Sequence, residues 1–196
     1  MISTLLPTLL FLAAPARASG CDPSALDQAL DAVDRAFVAS DDKAMGDAVK
    51  LVRKAVRCYD APVPPGTCAR IHRARALAAW LDGEEIDAVA WLRAMLHADP
   101  RTELAPDVVD PRHRLRTLLL WAEEEPNSWT EGAGHHWLLV DGVRTGAVPA
   151  GQPYVVQPLR DDGTAQHAKL VDRWKSRAAA HPRGPASGAS MSGERG

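Results

Sequence analysis

The ten residues Asp47-Ala48-Val49-Lys50-Leu51-Val52-Arg53-Lys54-Ala55-Val56 return forty positions later as Asp87-Ala88-Val89-Ala90-Trp91-Leu92-Arg93-Ala94-Met95-Leu96. Asp, Ala, Val and Arg are retained, and Val52/Leu92 and Val56/Leu96 keep an aliphatic residue. Self-similarity at a fixed period of this length is the mark of stacked helical units. Upstream, Ala36 and Ala76 match at the same offset, placing a small residue in the first helix of each pair. Working outward, Leu26, Leu30, Val33 and Phe37 fall at helical spacing, and Met45, Val49, Val52 and Val56 mark a second helix running to about Tyr59. The run Ala61-Pro62-Val63-Pro64-Pro65-Gly66 stops it, because proline removes a backbone donor and clashes with the preceding turn. Thr67 is expected to cap a third helix through Ile71, Ala74, Ala78 and Leu81. Gly83 ends that helix, and Ile86, Val89, Leu92 and Leu96 define a fourth, which stops before Asp99-Pro100. Asp110-Pro111 opens a fifth, with Leu115, Leu118, Leu119 and Ala122 on its apolar side. The expected fold class is mainly α: two helical hairpins and a capping helix over residues 22–125.

Gly83-Glu84-Glu85-Ile86-Asp87-Ala88-Val89, followed by Leu92, Leu96 and Asp99-Pro100, resembles the second helix and closing proline of a tetratricopeptide repeat, and Ala76 fits the small residue of that family's first helix. His72, Arg75 and Met95 depart from the family's usual aromatic, Leu and Ala. The resemblance covers about residues 24–125, and the proline-rich loop takes up the excess over the family's shorter repeat. It implies that the first helix of each pair lines a concave, partner-binding face. On the third helix Arg70, Arg73, Leu77 and Trp80 fall on one stripe, and Arg and Trp are enriched at interface hot spots. These four residues are the expected partner-binding site. The competing reading is that Leu77 and Trp80 pack on a neighbouring hairpin while the arginines are solvated.

Beyond Glu125-Pro126-Asn127 the apolar period changes to two. His136–Val140 runs into the turn dipeptide Asp141-Gly142, a second β-prone run spans Pro153–Leu159, and Asp161-Asp162-Gly163 turns into a third at about Ala165–Val171. A small antiparallel meander over residues 134–174 is expected, and so small a sheet needs the helices as a packing partner. Val140-Asp141-Gly142, Gly146 and Val148-Pro149 resemble part of a PEGA module. Residues 176–196, rich in Ala, Gly, Ser, Pro and Arg, read as a disordered tail.

At the other end, Leu5–Ala14 is an apolar run too short to span a bilayer and ends at Ala16-Arg17-Ala18, an A-x-A pattern; residues 1–18 are expected to be a signal peptide. Ala18-Ser19-Gly20-Cys21 also resembles a lipobox, which would make Cys21 an acylated first residue. Export makes a disulfide the default among Cys21, Cys58 and Cys68. The hairpin topology brings all three to one pole. Cys21 with Cys58 is the favoured pair in a soluble protein, since it closes the longer loop; Cys58 with Cys68 is the pairing if Cys21 is acylated.

Net charge of −2 without a basic stripe points away from nucleic acid. Of the seven histidines, His135 and His136 are adjacent and would point to opposite faces of a strand. No HExxH, paired-Cys, GxSxG or glycine-rich phosphate loop occurs, so neither metal, cofactor nor catalytic residue is expected. Glu123-Glu124-Glu125 and the basic cluster Arg112-His113-Arg114 with Arg116 read as solvated faces. The resulting expectation is a non-enzymatic, exported interaction or scaffold protein of the periplasm or cell envelope, binding an unidentified protein through its helical surface. The alternative is a lipid-anchored surface protein, membrane-bound only through Cys21, whose β module contacts cell-wall polymer or a sheet partner.

Overall fold

A computed structural model describes residues 24–59, 61–124, 128–131 and 137–172. The signal-peptide and lipidation expectations, the Cys21 half of the disulfide and the tail over 176–196 lie outside those residues. Five helices come first: α1 (Ser24–Val38), α2 (Asp42–Cys58), α3 (Pro65–Leu81), α4 (Glu85–Ala98) and α5 (Arg114–Glu124). Six short strands follow: β1 (Trp129–Glu131), β2 (Leu138–Val140), β3 (Val143–Thr145), β4 (Ala147–Pro149), β5 (Tyr154–Pro158) and β6 (Lys169–Val171). The chain is mainly α with a small antiparallel β part at its C-terminal side.

The repeated residues sit at equivalent places. Ala48 and Ala88 are buried in α2 and α4, Val52 and Leu92 are fully enclosed, and Ala36 and Ala76 are buried in α1 and α3. α1 packs on α2, α3 on α4, α1 on α3, and α5 closes against α4. α3 lies at the centre. It buries Cys68, Ala69, Ile71, His72, Ala74, Ala76, Leu77, Ala78 and Ala79, residues distributed around its whole circumference, as expected of a helix with neighbours on every side. Two starts differ from expectation. α3 begins at Pro65, with Pro64 as its N-cap, because proline at the first helical position forfeits no hydrogen bond; Thr67 is already inside. α5 begins at Arg114, not at Pro111. The Asp110 carboxylate takes the Arg112 N–H (2.7 Å) and its carbonyl takes the His113 N–H (2.9 Å), holding Asp110–His113 as a turn.

The three expected strands are present as β2, β5 and β6 but are joined by three more. One sheet has the order β3-β2-β5-β6 and a separate ribbon pairs β1 with β4, all antiparallel. Asp141 and Gly142 form the two-residue β2–β3 turn between the paired Val140 and Val143. Both have positive φ, 48° and 80°, the combination that matches a hairpin's twist. Glycine is required here twice over. A Cβ at residue 142 would lie 2.6 Å from the Val63 carbonyl oxygen and 2.8 Å from Pro65 Cδ. The hairpin tip is thus pressed against the proline-rich loop that leads into α3.

Candidate functional site

The β part is joined to the helices through a closed polar junction. Asp141 projects from the β2–β3 turn, and its Oδ1 accepts from His72 Nε2 on α3 (2.7 Å) and from the Val155 N–H on β5 (2.8 Å). A carboxylate can only accept, so Nε2 of His72 carries the hydrogen. Oδ2 lies 3.8 Å from Nδ1 of His97, near the end of α4. Both His72 and Asp141 are buried, 0% and 1% exposed. Burial works to raise the Asp141 carboxyl, but His72, the His97 contact and the Val155 N–H together hold it below its ordinary value of 3.8. Nearby aromatic rings shield the junction, with Trp91 at 5.7 Å from the His72 ring and Trp129 at 4.8 Å from His97. Gln157 makes a second tie. Its Oε1 accepts from the Val63 N–H (2.8 Å), and its Nε2 donates to the carbonyls of Ala61 (2.8 Å) and Gln166 (3.0 Å).

Cys68 lies one turn before His72, which assembles Cys, His and Asp in one region. Its thiol is fully buried and free, and burial, then the Asp141 charge, pushes it far above the ordinary thiol range. A thiol so placed is a packed apolar group rather than a nucleophile. Cys58, at the end of α2, is disulfide-bonded. Among the described residues, no group of three or more His, Cys, Asp and Glu is arranged to hold a metal ion.

The expected partner stripe is placed differently from the open groove anticipated for it. Arg70 pairs with Asp27 (2.6 Å) and Asp31 (3.1 Å), and Arg73 pairs with Asp34, all three acids on α1. Burial raises the Asp34 carboxyl in spite of the Arg73 charge. Leu77 is wholly buried, and Trp80 is partly buried against the core and edge-on to His113 at 5.2 Å. The stripe is therefore the α1–α3 seam of this chain. The physical cause is charge matching: Asp27, Asp31 and Asp34 recur at helical spacing on α1 and meet the arginines on α3. The second basic cluster is likewise used internally. Arg116 donates to the carbonyls of Leu104 (2.7 Å) and Val109 (2.8 Å), Arg114 pairs with Glu85 (2.9 Å), and His113 lies between Phe37 and Trp80.

An open apolar surface does occur, one helix further along. Between α4 and α5 a groove of about 400 Å³ is lined by Ile86, Val89, Ala90, Leu118 and Trp121, with Glu85 and Arg93 at its polar side. Ile86 is 80% exposed and Trp121 53%. The helical spacing that defined α4 included Ile86 but did not reveal that its side chain is exposed. Ile86 falls in the first turn of α4, three residues after Gly83. No helix among the described residues is long and apolar enough to cross a membrane. No protein-family model, curated protein or solved structure matches this chain, so the tetratricopeptide and PEGA resemblances stand on the residues quoted for them.

Proposed function

We propose that the chain is a non-enzymatic, exported interaction protein of the cell envelope that takes a protein partner in the groove between α4 and α5. The observation that carries this reading is Ile86, a large aliphatic side chain left 80% exposed beside the exposed indole of Trp121. Isolated exposed apolar residues are ordinary, but an aliphatic–aromatic pair lining one concave groove is the composition of an interaction site. Two helices with an apolar floor and charged rim suit the apolar face of an amphipathic helix. Glu85 is already paired with Arg114, so side-chain shape and apolar burial would dominate recognition. Closure of the Cys68–His72–Asp141 region to solvent favours a structural use for those residues over a catalytic one. Export is supported by the pattern of residues 1–18 and by the disulfide at Cys58.

The test is site-specific photocrosslinking in cells, with the reactive group at Ile86 or, for comparison, at Leu51. Leu51 is also a well-exposed aliphatic residue, and it lies outside the groove. A discrete adduct from position 86 that is absent from position 51 is the expected result. Equal labelling at both positions, or none at either, defeats the proposal.

A further inference from the structure

A second concave surface lies where α2 meets β6. Arg53 and Arg57 stand one turn apart on α2, so both leave the same face of the helix. His167 and Lys169 lie two residues apart at the entry to β6. All four border one cleft of about 660 Å³, whose far wall runs from Ala168 to Asp172. Strand and helix end are fixed to each other by the Ala168 N–H, which donates to the Tyr59 carbonyl (3.1 Å). Of the four basic groups, Arg53 is paired with Asp172. Arg57, His167 and Lys169 have no carboxylate partner among the described residues. An adjoining polar cleft shares Arg53 and Asp172 and holds Arg75 with Asp82, Glu84 and Asp87. Those acids border the second cleft and not the first, so among the described residues the first cleft holds no carboxylate besides Asp172, which Arg53 engages.

This concentration of positive charge arises in a chain whose formal net charge is −2. Like charges gathered around a concavity raise the local concentration of counter-ions far more than the same charges spread over a convex face. Arginine supplies a planar fork for two oxygens of one group, and lysine a movable point charge for another. We propose that the α2–β6 cleft binds a small multivalent oxyanion, with one anionic group at Arg57 and a second at Lys169. Linked phosphates and a polycarboxylate share this chemistry.

Titration calorimetry on the full chain with tripolyphosphate and, separately, with citrate distinguishes the two sources, against sulfate at matched ionic strength. Saturable binding of one equivalent of tripolyphosphate or citrate, but not of sulfate, is expected. Arg57→Ala with Lys169→Ala should weaken it about tenfold or more, since removing one charge-assisted hydrogen bond has an effect of that order. Lys43→Ala with Lys50→Ala removes the same charge from the first half of α2, outside the residues that line the cleft, and should leave affinity within about twofold. Circular dichroism establishes that each variant is folded; if the first pair is not, Lys169→Ala alone serves, with a smaller expected loss. Absence of saturable binding by either anion, or equal loss in the two double variants, overturns the site.

Discussion

Asp141→Asn replaces one oxygen of a buried carboxylate and removes its charge while leaving the turn intact. Asparagine tolerates the φ of 48° at this position, and Asn-Gly is a favoured pair for a two-residue hairpin. Oδ1 of the amide still accepts from the Val155 N–H and from His72. The substitution takes away the charged character of the 2.7 Å hydrogen bond with His72 and the attraction of His97 to Oδ2. Hydrogen bonds to a charged group contribute about 1.5–3 kcal/mol and neutral ones about 0.5–1.5, so the substitution should cost about 1–2 kcal/mol. Asp141→Ala goes further. It leaves His72 facing no acceptor and puts a side chain with no local hydrogen bond at positive φ, for a total of about 3–5 kcal/mol. Urea unfolding at neutral pH, followed by near-ultraviolet dichroism from Trp91 and Trp129, measures both. The folded carboxyl lies below its ordinary value of 3.8, so its contribution is present above that pH and is lost as pH falls through the lower folded value. The gap between wild type and Asp141→Asn should therefore be constant at neutral pH and close in acid. A cost under about 0.5 kcal/mol, the scale of an ordinary surface change, or a gap that persists in acid would refute the junction as drawn.

Gly142→Ala meets the Val63 carbonyl at 2.6 Å and a φ of 80°. Strain and overpacking together should cost about 2–5 kcal/mol; a midpoint unchanged in urea would mean that the hairpin tip does not rest on the proline-rich loop. For the cysteines, native protein treated with iodoacetamide should leave Cys68 unmodified until denaturant is added, because the thiol is buried and shifted far up. Non-reducing peptide mapping of exported protein should join Cys58 to Cys21, and a Cys58–Cys68 peptide would overturn that pairing.

The helical half was legible because its information is local. Residues forty apart face the same kind of environment, so Ala48 with Ala88 and Val52 with Leu92 announce two equivalent hairpins before any contact is known. Asp141-Gly142 was readable for the same reason, as two adjacent residues with a shared backbone requirement. The junction was not. His72 and Asp141 are 69 residues apart, and nothing in the local sequence of either points to the other. Strands β1 and β3 are largely exposed along their length and so carry no buried–exposed alternation, and β4 ends in Pro149, a residue that argues against a strand. The surroundings of the partner stripe were not legible, for an instructive reason. Arg70, Arg73, Leu77 and Trp80 were considered on α3 alone, whereas Asp27, Asp31 and Asp34 on α1 carried the matching charge pattern. A helix face rich in arginine is an open surface only if no other helix offers acids at the same spacing.

Ile86→Glu, with its two readouts taken together, tests the functional proposal most directly. Ile86 is 80% exposed, so folding should barely register the change, with unfolding free energy within about 0.5 kcal/mol of wild type. A carboxylate set into the apolar groove beside Trp121 should nevertheless abolish formation of a partner adduct by a photoreactive group placed at Trp121. Loss of the adduct at unchanged stability is the predicted result, and an adduct formed in full by Ile86→Glu would contradict the account.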